Sequence, residues 1–161
     1  MVAAPPQHFH TQLNISERDD GFSAACGFDV FFVFAAKVNT TLFYDQSGTL
    51  VRQIATFPTG TLGFAAPSTG KSIGSASVSV LIADYTGGGA VGTAAVARVT
   101  GLTFMLQPGV MLTGRQVSEA VVVDHTPEGI PGLEFTNLIS ESGNFFSGDF
   151  APLVCAALSG P

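Results

Sequence analysis

Four ionisable side chains, widely spaced along the chain, are the candidates for catalysis. They are Asp29, Tyr44, Arg98 and Glu119. Asp29 stands in the most apolar stretch, where burial would raise the pKa of a carboxyl group, a device that enzymes use. Lys37 and Arg98 are its candidate partners. The structural alternative places this carboxylate at the first turn of a strand, bonded to backbone amides, and we favour that alternative.

Two histidines offer a candidate metal site near the start of the chain. His8 and His10 are two residues apart, so they project from one face of an extended segment. With His125 or a carboxylate they could complete a zinc site. Paired histidines on a solvated strand are more often plain polar surface, and we predict no metal site.

A Gly-Lys-Ser sequence at residues 70–72 suggests a phosphate-binding loop. That motif needs a glycine where Ala65 stands, and it needs a helix afterwards. The residues that follow alternate serine with apolar side chains, which is typical of a strand. The sequence therefore predicts no cofactor.

The composition excludes several classes of partner. The net charge is −6, and only six Lys and Arg residues are scattered over 161 residues. Nucleic acids and anionic lipid surfaces both require a basic patch, so neither is an expected partner. Hydrophobic residues make up 46% of the chain, but no apolar run approaches the ~18–20 residues of a membrane helix.

Short apolar or alternating segments, separated by turn signals, run along the whole chain. Residues 7–15 alternate as a half-buried strand does, and Phe28–Val38 is apolar on both faces, which predicts a central strand covered on both sides. About ten such segments, spaced by ~8–12 residues, predict an all-β fold, an antiparallel β-barrel or β-sandwich. No linker divides the chain, so we predict one domain, 1–161, in which residues 1–6 form a flexible leader.

Two cysteines stand near opposite ends of the chain. Cys26 opens the apolar segment, and Cys155 lies in a short apolar run near the C-terminus; we predict both segments as strands. Two buried thiols are one interpretation, but a small β-domain with few charges favours a disulfide. A persistent disulfide indicates an oxidising compartment, and hence a secreted, extracellular or cell-envelope protein.

Four short motifs, taken together, resemble those of a family of small exported actinobacterial β-proteins. Their order is Cys26-Gly-Phe-Asp-Val, Pro67-Ser-Thr-Gly-Lys-Ser72, Pro108-Gly-Val-Met-Leu-Thr-Gly-Arg115 and Val154-Cys-Ala-Ala-Leu158. The resemblance extends over nearly the whole chain, although Ala66 stands where the family usually has asparagine. It implies export, a disulfide and β-structure, and it implies no particular chemistry.

Three functions are consistent with this sequence. The unusual number of phenylalanines, 14, favours a binding module for an apolar small molecule or a protein partner, with a ligand cavity at the Phe-rich centre. The alternative is a small β-barrel enzyme, an isomerase or cyclase for a hydrophobic substrate, in which the four ionisable residues above would act and the cavity would position the substrate. The third is a structural homo-oligomer of the cell envelope, with the second face of the Phe-rich strand as its interface.

Overall fold

The computed structural model describes residues 4–107 and 110–160. Within them the chain forms eight strands and two short helices. In chain order these are β1 (Gln7–Arg18), α1 (Asp20–Cys26), β2 (Phe31–Tyr44), β3 (Leu50–Ala66), β4 (Lys71–Ala76), β5 (Val78–Tyr85), β6 (Ala94–Gln107), β7 (Val110–His125), β8 (Pro131–Phe145) and α2 (Ala151–Leu158). The predicted all-β, antiparallel fold is confirmed. Residues 1–3 of the predicted leader, and residues 108–109 of the third motif, lie outside the described residues.

All eight strands belong to one antiparallel sheet. Its order is β1-β2-β3-β5-β6-β7-β8, and β4 pairs with the second half of β3. β4 and β5 follow one another along β3 and meet at the buried Ser77, whose N–H donates to the carbonyl of Gly60 at 2.9 Å. β1 and β8 form the two edges, and in the described residues they are not paired with each other.

One face of the sheet, the inner face, holds the core. Small side chains dominate it at mid-sheet, where Ala83, Ala95, Ala97 and Ala120 are at most 3% exposed. Leu42 and Val122 are equally buried, although the helices pack elsewhere, mainly on each other and on β3 and β4. A single sheet can bury these residues only by curling over its own inner face, and small side chains permit that close approach.

A row of three glycines bends the sheet. Gly101, Gly114 and Gly143 are direct partners across β6, β7 and β8, and their φ angles are +133°, +139° and +128°. Side chains rarely adopt such angles, and a Cβ on Gly114 would lie 2.2 Å from the carbonyl oxygen of Ser142. The three strands therefore bend together here, between a core cluster around Leu42 and Val122 and another around Phe64 and Phe104.

Both cysteines lie on helices, which corrects the prediction of two strands. α1 begins at Asp20, because the Asp19 carboxylate accepts a hydrogen bond from the Phe22 N–H at 2.8 Å. It ends at Gly27 in the left-handed conformation. α2 begins where the Asp149 carboxylate accepts a hydrogen bond from the Ala151 N–H at 2.9 Å. Periodicity alone does not distinguish a short apolar helix from a buried strand.

The predicted disulfide is confirmed, and it joins the two helices. Cys26 and Cys155 are bonded across 129 residues of sequence, with their Cα atoms 5.1 Å apart. The strand expected from Phe28 begins at Phe31, because residues 27–30 connect α1 to β2. In residues 4–107 and 110–160, no helix is long and apolar enough to cross a membrane.

Candidate functional site

A cavity of about 250 Å³ lies between the helix pair and the inner face of the bent sheet. Its lining residues are Phe22, Phe32, Leu62, Phe64, Thr103, Phe104, Leu112 and Phe150. We call this space the Phe cavity. Its residues come from four strands and both helical segments, and Phe32 is the one residue of the apolar segment Phe28–Val38 among them.

Phe64 of β3 is the centre of the aromatic wall. Its ring centroid lies 4.8 Å from that of Phe22, 6.0 Å from that of Phe32 and 5.8 Å from that of Phe104. The contacts with Phe32 and Phe104 are edge-on, the arrangement that aromatic pairs prefer over a face-to-face sandwich. These contacts fix the rings, so the cavity is preformed.

The helical segments supply two of the aromatic walls, Phe22 from α1 and Phe150 from the residue just before α2. Ser23, on α1, is buried; its hydroxyl accepts the Val30 N–H at 2.9 Å and donates to the Val30 carbonyl. At the end of α2, the Thr69 hydroxyl donates to the Leu158 carbonyl at 2.7 Å. Together with the disulfide, these bonds hold both helices over the cavity.

The chemistry of the Phe cavity is that of a hydrocarbon environment. None of its lining residues is ionisable, and Thr103 is its only polar residue. A charged ligand would lose its hydration there without gaining a partner, at a cost of several kcal/mol or more. The cavity therefore suits an uncharged, largely apolar molecule.

The four catalytic candidates lie away from the Phe cavity and do not form one site. Asp29 precedes β2 with its side chain 61% exposed, and it accepts a hydrogen bond from Arg18 Nε at 2.8 Å. Tyr44, at the far end of β2, donates its hydroxyl to Gln7 Oε1 at 3.1 Å. Within the described chain, neither Arg98 nor Glu119 forms a side-chain hydrogen bond with Asp29 or Tyr44.

The other two candidates lie on the outer face of the sheet. Arg98 of β6 pairs with Asp84, and not with Asp29, for which it was a candidate partner. Glu119 of β7 accepts a long hydrogen bond, 3.4 Å, from the side-chain amide of Asn137. Both residues face away from the Phe cavity, which lies on the inner side.

The histidines confirm the predicted strand geometry without forming a cluster. His8 and His10 project from the outer face of β1, where their Nδ1 atoms share hydrogen bonds with Thr41 Oγ1 and Asn39 Oδ1. His125, at the end of β7, forms a hydrogen bond with the carbonyl of Gly89. In the described part of the chain, no group of three or more His, Cys, Asp or Glu side chains could hold a metal ion.

One charged cluster was missed by sequence reasoning. Asp84 of β5 lies between Arg52 of β3 and Arg98 of β6 and pairs with both. Burial alone would raise the pKa of Asp84, but the hydrogen bonds and charges of the two arginines outweigh it and lower the pKa. This cluster could have been found only from cross-strand pairing, because Arg52 lies opposite Asp84 on the neighbouring strand. That pairing becomes visible only when the strand register is known.

Comparisons with known proteins give no match from which a function could be inferred. No protein-family model matches the chain, and neither the curated proteins nor the solved structures give a significant match. We therefore argue the function from the geometry and chemistry of the Phe cavity.

Proposed function

We propose that this protein is an exported binding module that holds a small, uncharged apolar molecule in the Phe cavity. The observation that supports this proposal is the cavity itself, which is a preformed space with five aromatic walls and no ionisable lining residue. Binding sites for apolar ligands share this composition. Burial of the ligand surface would provide the affinity, about 25 cal/mol for each Å² removed from water.

The size of the Phe cavity limits the ligand. An apolar cavity of ~150 Å³ is known to accommodate benzene, and sites for drug-sized molecules start at ~300 Å³. At about 250 Å³, the Phe cavity suits a molecule with one or two rings, or a short branched hydrocarbon. A long-chain lipid would extend beyond it.

Two observations support export. The disulfide joins elements 129 residues apart, and disulfides persist mainly in oxidising compartments. The four motifs resembling exported actinobacterial proteins point in the same direction, and we propose membership of that family. An extracellular location also brings the protein into contact with small apolar molecules released by cells.

The Phe cavity favours binding over catalysis. An isomerase or cyclase needs a proton donor or acceptor within hydrogen-bond reach of its substrate. Asp29, Tyr44, Arg98 and Glu119 are not among the lining residues, so the enzyme alternative has no supporting contact at this site.

Titration with naphthalene, followed by its fluorescence, tests the proposal. The wild-type protein is expected to bind one molecule saturably. Leu62→Trp, which fills the Phe cavity, is expected to weaken binding by about tenfold or more, or ~1.4 kcal/mol. Leu13→Trp is the matched control, because Leu13 packs in a different cluster. Absence of saturable wild-type binding, or equal binding by both variants, would refute the site.

A further inference from the structure

The edge strand β8 carries an unusual exposed apolar surface. Phe135, Leu138 and Ile139 stand near its middle and are 51%, 53% and 52% exposed. In the described chain β8 pairs only with β7, so its outer edge presents backbone N–H and C=O groups along 15 residues. Edge strands are normally protected by proline, lysine or a bulge that turns them away. Between Pro131 and Phe145 this strand contains no proline or lysine, and its protection is limited to two irregularities in its register with β7, at Thr136 and Ile139.

A groove lies on the inner face directly beside this edge. Its volume is about 330 Å³, and its lining residues are Ala97, Val99, Gln116, Ser118 and Phe135–Leu138. Ala97 and Ser118 are direct cross-strand partners whose small side chains leave room. Phe135 and Leu138 stand on the side nearest the open edge. We call this space the β8 groove; it shares no residue with the Phe cavity.

Charge around the edge is acidic. Glu134 and Glu141 are the only charged residues of β8, and Glu141 accepts a hydrogen bond from Gln116, which lines the β8 groove. Glu119 of β7 lies opposite Asn137 of β8. Arg115 is the only lysine or arginine on the two strands. A partner that pairs with this edge therefore gains from Lys or Arg side chains.

We propose that β8 and the β8 groove bind an extended peptide segment of another protein, with apolar residues near its centre and basic residues beside them. The segment adds to the sheet as a new edge strand, and its backbone hydrogen bonds supply affinity. An apolar side chain of the segment enters the β8 groove against Phe135 and Leu138. Its basic residues lie beside Glu134 and Glu141.

Charge argues against a second copy of this chain as the occupant. Self-pairing through β8 would bring together two strands whose only charges are carboxylates. β1, the other free edge, has Arg18 as its only lysine or arginine, and Arg18 already pairs with Asp20 and Asp29. Neither β8 nor β1 of a second copy supplies a free cation to β8, and β4, which carries Lys71, has β6 beside it.

Selection from a displayed library of random 12-residue peptides tests this proposal, followed by fluorescence anisotropy of the selected peptides. We expect a consensus of apolar residues flanked by Lys or Arg. Leu138→Lys is expected to weaken binding by about tenfold or more. Glu134→Gln combined with Glu141→Gln should weaken binding several-fold and reduce its salt dependence.

The control is Val78→Lys, which changes a similarly exposed apolar residue on β5 (48% exposed); this variant should bind the peptides as the wild type does. Phe135→Ser is a second test of the edge should Leu138→Lys disturb folding. Failure to enrich any sequence, enrichment of acidic peptides, or equal binding by the edge variants would overturn the proposal. A concentration-dependent dimer that Leu138→Lys abolishes would overturn it in favour of self-association.

Discussion

At the scale of single residues, the three arginines Arg18, Arg52 and Arg98 form ion pairs with aspartates. The clearest case is Asp84, which accepts a hydrogen bond from Arg52 Nε at 2.6 Å and also pairs with Arg98. Cross-strand pairs of opposite charge stabilise neighbouring strands by fractions of a kcal/mol. Here one carboxylate links three strands, β3, β5 and β6.

Replacing this carboxylate tests its contribution. Asp84→Asn is expected to lower the free energy of unfolding by about 0.5–1 kcal/mol at neutral pH. The folded-state pKa of Asp84 lies below its ordinary value, so its ion pairs stabilise above that value and are lost as pH falls through the folded pKa. Urea unfolding should therefore show the difference between wild type and variant narrowing below about pH 4.

The control for this experiment is Glu119→Gln, which removes a carboxylate with a single long contact and should change stability less. A difference between Asp84→Asn and wild type that persists unchanged into strong acid would contradict the assigned ion pairs.

At the scale of elements, the three aligned glycines give β6, β7 and β8 a backbone conformation that other residues rarely adopt. Gly114 is the middle one, and a Cβ there would collide with the backbone of β8. The row separates the part of β6 that carries Phe104 to the Phe cavity from the part that lines the other cluster. The glycines are therefore expected to matter for stability and for the site together.

Gly114→Ala tests this role. We expect it to lower the free energy of unfolding by about 2 kcal/mol or more, because alanine combines a disfavoured positive φ with a backbone clash. Gly74→Ala is the matched control: Gly74 also lies in a strand, but without a positive φ, and its nearest contact to an added Cβ is 3.3 Å. Equal destabilisation by the two variants, measured by urea unfolding, would show that the row is not special.

At the scale of the whole molecule, one covalent bond connects the beginning of the fold to its end. The disulfide closes a loop that contains all strands except β1. It also holds α1 and α2 together, and these helices carry Phe22 and Phe150 to the Phe cavity. Global stability and the integrity of the site thus depend on the same bond.

Removing the bond should be costly. The Cys26→Ser, Cys155→Ser double variant is expected to lose about 2–5 kcal/mol of unfolding free energy, because its unfolded chain is no longer restrained. Wild type treated with a thiol reductant should match the variant in chemical unfolding, and the variant itself should not respond to reductant. A variant as stable as the oxidised protein would show that packing of the helices suffices.

The strand content of this chain was predictable because alternation and turn residues act locally. The exposed His8 and His10 face of β1 followed from alternation alone. The helices were not predictable in the same way, since Leu153–Leu158 is apolar all round and gives no helical stripe. The signals of α1 were its capping residues, Asp19 and Gly27, and those of α2 were Asp149, which bonds the Ala151 N–H, and the proline in its first turn. Such short signals are easily taken for turns.

The sequence by itself determined an antiparallel β-fold and a low content of charged residues, and it favoured a disulfide over two buried thiols for its two cysteines. Each follows from composition, local pattern or count. Only the tertiary structure decided that Phe22, Phe64, Phe104 and Phe150 surround one cavity while the ionisable candidates lie apart. The reason is strand register: which residues share a face and a row depends on long-range pairing across the sheet, and a one-residue shift would exchange the two faces.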